Sequence, residues 1–336
     1  MRAVVLTGVD GRLETAEVDD PVPSPGHVVV RVQACGICGS DLHIAKAYGT
    51  PGTIMGHEIA GVIEDVGADV DDRWVPGTAV TARPFSSCGK CRYCRAGRPD
   101  HCRQFHLLGA TRPGGFAERA LLSADELYAL PASLIGAEQA LVEPLAVARH
   151  VLRRLGFGAG ERLAVLGAGP IGLAVTAWAR ALKAGGVVVS DPVATRRDLA
   201  RALGADAAVD PTTDDIAATC RGVLGGAPPV VVECSGKPGL IDQAMTLAAV
   251  EARIGVVGAC MSFDTVFPFT ALSKELDLRF AVYYDRQDFV DTLRALDDGS
   301  LVVEGLVTDI IDLDALPDAF ANLLTAAETG KVVVVP

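Results

Sequence analysis

Basic residues are in short supply in this sequence. The 336-residue chain has 30 lysines and arginines against 42 aspartates and glutamates, a formal net charge of −12. An acidic surface repels nucleic acid and anionic lipid, so we expect neither as a partner. The chain is also longer than a single hydrophobic core usually serves, which predicts two domains.

Long apolar runs are missing as well. The longest, LAVLGAGPIGLAVTAWA at 163–179, is shorter than the roughly 20 residues of a membrane-spanning helix. Its three glycines and Pro170 favour a strand, a turn and a helix instead. The N-terminal MRAVVLTGVDGRLE has no apolar stretch long enough for a signal peptide. We therefore expect no membrane partner and a cytoplasmic location.

The nine cysteines do not suggest a disulfide framework, because no export signal accompanies them. Four of them lie within CGKCRYCRAGRPDHC, in the spacing C-x₂-C-x₂-C-x₇-C: Cys88, Cys91, Cys94 and Cys102. Four thiolates this close in sequence can enclose one Zn²⁺ tetrahedrally and leave no open position, which is typical of structural zinc. The bacterial iron–sulfur pattern ends in x₃-C-P, which is absent here. His101 is an alternative ligand, although an exposed loop position is favoured for it.

The stretch ACGICGSDLH, residues 34–43, allows three interpretations on its own. It could hold a metal-chelating cysteine pair, a redox-active pair, or one functional cysteine beside a cysteine with no role in the chemistry. Outside the four-cysteine segment, the remaining candidate ligands are Cys38, His57, Glu58 and Glu143. A catalytic zinc needs about three protein ligands and an open position. The competing interpretation is a buried, inert cysteine and a glutamate that merely begins a helix.

The pattern of apolar segments in the sequence changes near residue 145. Segments such as HVVVRVQA and TAVTARP in the first part predict β-strands of a sheet or barrel. After 145, apolar strands alternate with helices, which predicts parallel βαβ units with a sixth strand near 276–282. The mixed α/β tail after about 285 is expected to return to the first domain.

A dinucleotide site is predicted at LGAGPIG. Gly167, Gly169 and Gly172 have the G-x-G-x-x-G spacing, follow an apolar strand and open a helix, and Asp191 ends the next strand. A helix N-terminus there would face the pyrophosphate. The carboxylate would repel a 2′-phosphate, which favours NAD over NADP. The alternative is a glycine-rich turn without a ligand.

Two arginines follow this aspartate in the sequence. Arg196 and Arg197 could partly offset its charge, although solvated positions in the first turns of a helix are favoured for both.

Taken together, the segments resemble those of the zinc-dependent medium-chain dehydrogenases/reductases, the alcohol and polyol dehydrogenase superfamily. The matching pieces, which cover essentially the whole chain, are GICGSDLH, GHEIAGVIEDVG, the four-cysteine lobe, VEPLAVARH and VLGAGPIGL with its downstream aspartate. The resemblance implies an α/β fold: a doubly wound Rossmann domain at 145–284, inserted into a mostly β GroES-like catalytic domain at 1–144 and 285–336. The structural zinc lobe falls at about 86–104.

The resemblance also implies roles at the metal. Cys38 and His57 carry over as catalytic zinc ligands, and Glu143 stands where classical alcohol dehydrogenases have a second cysteine. That glutamate is similar to the sorbitol, butanediol and threonine dehydrogenase branch, in which either Glu58 or Glu143 ligates the metal; the sequence leaves both open. Cys35 then becomes a small buried neighbour.

The implied proton path runs from the alcohol through Ser40 and the cofactor ribose to His43. Asp41 is expected to form a hydrogen bond with a ligand histidine without touching the metal itself. Cofactor contacts are expected from the 167–172 turn and its flanks: Gly167, Gly169, Pro170, Ile171, Gly172, Asp191 and Arg196.

The expected activity is reversible hydride transfer between an alcohol or ketone, favoured as a secondary alcohol, diol or polyol, and NAD, with NADP less favoured. Two zinc ions per chain and a homodimer or homotetramer are expected. Tyr48 and Phe85 are candidate pocket residues, with core packing equally compatible. The alternatives are a zinc-independent quinone or enone reductase of the same superfamily and an NAD-binding zinc sensor.

Overall fold

The structure of the chain is a computed structural model that describes residues 1–8, 11–47, 49–325 and 330–336. Tyr48 lies outside these residues. The described strands, in chain order, are β1 (Arg2–Leu6), β2 (Leu13–Glu17), β3 (His27–Gly36), β4 (Glu58–Val66), β5 (Ala79–Ala82), β6 (Phe85–Ser86), β7 (His106–Leu107), β8 (Arg119–Ser123), β9 (Leu127–Ala129), β10 (Arg162–Leu166), β11 (Gly186–Ser190), β12 (Ala207–Val209), β13 (Val230–Glu233), β14 (Arg253–Val256), β15 (Asp277–Phe280), β16 (Val307–Ile311) and β17 (Lys331–Val334).

The described α-helices are α1 (Gly39–Ala47), α2 (Arg92–Arg95), α3 (Val142–Leu155), α4 (Pro170–Ala181), α5 (Ala194–Ala202), α6 (Ile216–Leu224), α7 (Leu240–Leu247), α8 (Pro268–Lys274), α9 (Arg286–Asp297) and α10 (Leu316–Thr325). Short 3₁₀ helices occupy Pro99–His101, Ala124–Glu126 and Gly136–Leu141. None of the described helices combines the length and apolar character that a membrane crossing requires.

A six-stranded parallel sheet forms the middle of the chain, in the order β12-β11-β10-β13-β14-β15. Its central strands are apolar on both faces, as parallel strands covered by helices must be, and every residue of β11 is buried. The predicted sixth strand near 276–282 is β15. The order reverses between β10 and β13, which is the doubly wound arrangement that the alternating pattern predicted.

The other main sheet has seven strands, in the order β16-β17-β3-β4-β5-β9, with β8 also paired to β3. Strand β3 is ten residues long and pairs antiparallel with β4, β8 and β17. The C-terminal strand therefore adds to the same sheet as the N-terminal segment, since Val333 and Val334 pair with Gly36 and Cys35. This pairing sets the register of the residues that follow β3.

Two compact units share the chain. The first contains 1–143, 309–327 and 331–336, and the second contains 144–308 and 328–330. Residues 285–308, placed by the sequence interpretation in the catalytic domain, group with the second unit. The domain bounds 1–144 with 285–336, and 145–284, stay a prediction.

Candidate functional site

Three predicted metal ligands meet in the first unit. Cys38 lies between β3 and α1, His57 precedes β4, and Glu58 is the first residue of β4. One donor atom from each side chain lies within 4.8 Å of the others. Glu143 is buried, but among the described residues it does not belong to this donor group.

A buried carboxylate fixes the orientation of the His57 ring. Asp41 is fully buried in the first turn of α1. Its Oδ1 lies 3.1 Å from His57 Nδ1, and its Oδ2 accepts a 2.9 Å hydrogen bond from the Cys38 backbone N–H. A carboxylate on one ring nitrogen orients a histidine and leaves Nε2 for a metal. One aspartate thus positions two of the candidate ligands.

The electrostatics of this pocket favour a cation at His57. Burial by itself lowers the pKa of the imidazole, but the negative charges of Asp41 and Cys38 outweigh it and leave the pKa well above its usual value. A thiolate, an imidazole and a carboxylate are ligand types that zinc prefers. The residues present therefore fit a bound zinc, which would replace the proton on the ring.

The two residues of the predicted proton path differ in exposure. Ser40 is half-buried, and its Oγ lies 3.5 Å from His57 Nε2, the nitrogen left for the metal. His43, one turn further along α1, is exposed. Cys35 is fully buried, and burial raises the pKa of its thiol well above the usual value. That environment is typical of an inert cysteine.

Lys331 is part of this site, and the sequence analysis missed it. The lysine begins β17, and its Nζ donates to both Glu58 carboxylate oxygens, at 2.6 and 2.7 Å. Both side chains are almost completely buried. No local pattern marks this lysine, because its burial depends on the pairing of β17 with a strand almost 300 positions earlier.

The four cysteines of the lobe form a second donor group. Neighbouring sulfurs of Cys88, Cys91, Cys94 and Cys102 are separated by 3.5 to 4.0 Å. A tetrahedral zinc with bonds of about 2.3 Å places its sulfurs roughly 3.8 Å apart. Backbone N–H groups of Cys88 and Gln104 also donate to the Cys102 sulfur, at 3.3 Å each. The geometry fits a closed zinc site.

Charge repulsion inside the lobe supports the same interpretation. Backbone hydrogen bonds, chiefly from Cys94, lower the pKa of the Cys91 thiol to about 6. Backbone hydrogen bonds from Cys88 also favour the Cys102 thiolate, but burial and the neighbouring thiols raise its pKa to about 11. Four thiolates can coexist here only with a compensating cation. His101 is exposed and bonds Asp100, at 2.6 Å, apart from the four sulfurs.

The predicted dinucleotide turn lies between β10 and α4 in the second unit. Gly167 has φ of +95°, which suits glycine. A Cβ on Gly172 would lie 1.8 Å from the Gly167 carbonyl oxygen, so the helix start and the turn touch. A Cβ on Gly169 would meet open space instead. Pro170 and Ile171, both half-buried, begin α4. This leaves the backbone at the helix N-terminus accessible to a phosphate.

The Asp191 carboxylate accepts hydrogen bonds that help to hold this turn. Its Oδ2 accepts from the Ala168 backbone N–H at 2.8 Å, and its Oδ1 accepts from Val193 at 2.9 Å. Arg196 Nη1 lies 3.9 Å from Asp191 Oδ2. Arg197 Nη1 is bonded to the carbonyls of Asp191 and Pro192. Only Arg196 is therefore paired directly with the carboxylate, and the two arginines are not equivalent.

The turn after β13 lies beside the turn after β10, where the strand order reverses. A Cβ on Gly167 would come within 3.0 Å of the Ser235 side chain. Glu233 is buried, and its Oε1 accepts from the Ser235 and Gly236 backbone N–H groups, at 2.7 and 2.8 Å. This carboxylate fixes a second wall of the crevice, and the sequence analysis had not singled it out. Ligands of doubly wound sheets bind in such a crevice.

Phe85, the described one of the two candidate pocket residues, is buried. It stacks on Phe105 with the ring centroids 5.6 Å apart, and the Arg83 guanidinium lies 4.4 Å from its ring centroid. These contacts are core packing within the first unit.

Two protein-family models match the chain. Residues 24–132 match the alcohol dehydrogenase GroES-like domain, and residues 170–298 match the zinc-binding dehydrogenase family. Both agree with the predicted combination of a GroES-like and a Rossmann-type domain, and the fold prediction is confirmed.

Individual proteins are similar over nearly the whole length. L-Threonine 3-dehydrogenase of Pyrococcus furiosus is 32% identical, over 99% of this chain and 98% of that protein. A Sinorhizobium meliloti protein solved with NADP is 33% identical, with a TM-score of 0.91 over 100% of this chain and 99% of that one. An alcohol dehydrogenase of Escherichia coli CFT073 solved with NADH is 28% identical, with a TM-score of 0.92 and the same coverage.

Proposed function

Because the chain belongs to the zinc-dependent medium-chain dehydrogenase/reductase superfamily and is an oxidoreductase of that family, we propose that it interconverts a secondary alcohol and its ketone with NAD. The observation that carries the proposal is the group of the half-buried Cys38 and the buried His57 and Glu58, whose donor atoms lie within 4.8 Å of one another. Zinc held there would act as a Lewis acid and ease the loss of the alcohol's hydroxyl proton near neutral pH.

The chain's own residues supply the remaining steps. Asp41 holds the His57 ring in place, and Ser40 Oγ lies 3.5 Å from His57 Nε2, beside the place where the metal would be held. Ser40 would accept the hydroxyl proton of the alcohol while it passes its own proton to the cofactor ribose, and His43 would take a proton from the ribose. His43 is exposed, so a proton that reaches it can pass to solvent. NAD would supply the hydride acceptor. We propose two zinc ions per chain, one catalytic at the Cys38 group and one structural in the four-cysteine lobe.

We favour NAD over NADP because of the negative charge of Asp191, which follows β11. The buried Asp191 carboxylate, held by two backbone N–H groups, is fixed where a ribose 2′-hydroxyl can donate to it. Arg196 beside it is the residue through which a 2′-phosphate would be accepted. One similar protein was solved with NADP and another with NADH. Comparison of kcat/KM for both cofactors, in the wild type and in Asp191→Ser, tests this, with relative NADP use expected to rise in the variant.

The substrate class rests on the glutamate-containing site and on the similarity to a threonine dehydrogenase, whose substrate carries a secondary hydroxyl. The test is a panel of secondary alcohols, diols, polyols and amino alcohols, scored by reduced-cofactor formation. Turnover of secondary alcohols with retention of both zinc ions supports the proposal. Reduction of quinones or enones by metal-free protein would favour the zinc-independent alternative. Cofactor binding without turnover of any compound would favour the sensor.

A homo-oligomer is proposed from the exposed apolar side chains in and around α8 and β15 of the second unit, here called the α8–β15 patch. It comprises eight exposed side chains: Met261, Phe263, Val266, Phe267, Phe269, Leu272, Phe280 and Val282. All eight are exposed although they are apolar, and exposed apolar side chains grouped in this way are typical of surfaces that contact another protein. β15 is also an edge strand of its sheet, and the unpaired backbone groups of an edge strand can pair with a second copy.

The thiol groups point to a reducing compartment. All nine cysteines are free, and four of them form the lobe whose thiolates must stay reduced to hold a metal. We propose a cytoplasmic location on this basis.

A further inference from the structure

The Glu58 carboxylate is held by a buried ammonium group. Lys331 Nζ donates to Glu58 Oε1 and Oε2 and, at 3.0 Å, to the Ile37 carbonyl. These three contacts use the three donors of an ammonium group. The Lys331 side chain is 3% exposed and the Glu58 side chain is fully buried. Because this ion pair is shielded from water, its attraction is weakly screened. Removal of either partner would leave the other charge buried and unpaired, which is strongly destabilising.

The strand register creates this contact. In the sheet, β3 lies between β17 and β4, with Gly36 paired to Val333 on one side and to Glu58 on the other. Glu58 lies over Gly36, where a Cβ would come within 1.9 Å of Oε2. The absence of a side chain at Gly36 therefore gives the carboxylate room to meet Lys331 across the middle strand.

The same carboxylate belongs to the candidate metal group with Cys38 and His57. The ammonium and a metal ion thus compete for one pair of oxygens. Glu58 and Cys38 both act electrostatically on Lys331, and so does Glu143. The Lys331 ammonium is the positive group already in contact with both Glu58 oxygens. Loss of that positive charge would leave the metal as the cation within reach of Glu58.

We propose that Lys331 is a positioning residue that holds Glu58 off the metal and so keeps one coordination position exchangeable. The inference rests on the proposed catalytic zinc at Cys38 and His57. It assigns the C-terminal strand a role at the metal, and it gives Gly36 the matching role of leaving space for the contact.

The test compares wild type, Lys331→Met, Glu58→Gln and the double variant, each as the full-length metal-loaded protein. Two readouts are independent of turnover: the visible spectrum after Co²⁺ replaces the zinc at the Cys38 site, and the rate of zinc release to a chelator. In Lys331→Met, Glu58 is expected to bind the metal, which changes the cobalt bands and slows zinc release on the order of ten- to a hundredfold. The double variant should lose both effects, and Glu58→Gln alone should show little change.

Lys274→Met is a matched control. Lys274 Nζ also bonds main-chain carbonyls, those of Met245, Thr246 and Ala248, but in the second unit. It should reduce stability without altering the cobalt spectrum. Lys331→Arg, which keeps the positive charge, should restore the wild-type spectrum. If Lys331→Met does not fold, Lys331→Gln, whose side chain is shorter, polar and uncharged, is measured in the same way.

The outcomes separate two claims. Wild-type cobalt bands and zinc release in Lys331→Met or Lys331→Gln would overturn the positioning role while leaving the catalytic zinc intact. A single zinc per wild-type chain, with none released from a Cys38-dependent site, would instead overturn the proposed function.

Discussion

Gly36 shows how one missing side chain shapes the metal site. It lies at the end of β3, two positions before Cys38, and its neighbour across the sheet is Glu58. Any β-carbon at this position would take the space of the Glu58 carboxylate. The positions of Glu58 and of Lys331 therefore depend on a residue that touches no substrate or metal.

Gly36→Ala is expected to destabilise the protein by about 1 to 3 kcal/mol, as overpacking of a filled site does, and to weaken the ion pair between Glu58 and Lys331. Gly39→Ala is the matched control, since a β-carbon there meets nothing within 4 Å and the residue begins α1. Urea unfolding of both variants measures the difference. Equal stabilities would contradict the steric account.

At the same scale, sequence reasoning identified the ligand types but missed part of what positions them. The spacing of cysteines predicted the lobe, and ligand chemistry together with the family resemblance predicted Cys38 and His57 with either Glu58 or Glu143. Lys331 and Gly36 were not predicted as site residues. A lysine in a strand is normally expected to be exposed, and a glycine near a turn is common for reasons that have nothing to do with a site. Their importance follows from three strands in register, which only the folded chain reveals.

Among the elements, prediction was best where local patterns decide the structure. The alternation of apolar strands with helices predicted the parallel sheet of β10 to β15, because β10, β11, β13 and β14 are almost entirely buried apolar runs. The two-residue strands β6 and β7 were not identified. They contain few residues, and their pairing partners decide their conformation.

An ion-pair cluster joins α3 and α9 in the second unit. Asp288 is fully buried and accepts from His150 Nδ1 and from Arg153 Nε, each at 2.6 Å. Arg153 also bonds Asp285, the N-cap of α9. His150, Asp285 and Asp288 have metal-ligand spacing, but the guanidinium already supplies the positive charge. We interpret the cluster as a clamp between helices.

Asp288→Asn is expected to lower the free energy of unfolding at neutral pH by about 3 to 5 kcal/mol, because Arg153 and His150 lose their buried counter-charge. Burial alone raises the pKa of Asp288, but hydrogen bonds from His150 and Arg153 leave it well below the usual 3.8. The carboxylate's stabilisation is therefore complete above its unfolded pKa and falls as pH drops below about 4.

The measurement is chemical unfolding of both proteins across pH 3 to 7, a range centred near the usual carboxylate pKa values. The difference between wild type and variant should be constant near neutrality and shrink toward pH 3. Asp198→Asn, at an exposed pair with Arg201, is the control and should change little. A wild-type-to-Asn difference that grows on acidification would contradict the clamp.

For the whole molecule, the α8–β15 patch gives the clearest expectation. If it is the surface between copies of this chain, Phe267→Glu with Phe280→Glu should shift the protein to a smaller species, since both rings are more than half exposed. Ile310→Glu, at a similarly exposed apolar side chain outside the patch, should not. Sedimentation equilibrium distinguishes them. An oligomer that resists both patch substitutions would require a different interface.

The central claim is a catalytic zinc at Cys38 that is separate from the structural zinc of the lobe. The most direct measurement is the zinc content of the wild type and of Cys38→Ser, with reduced-cofactor formation from the best secondary alcohol. We predict two zinc ions per wild-type chain, one in Cys38→Ser, and loss of alcohol oxidation in that variant alone. Cys38→Ser protein that keeps the full wild-type zinc content and oxidises the alcohol at the wild-type rate would contradict the account.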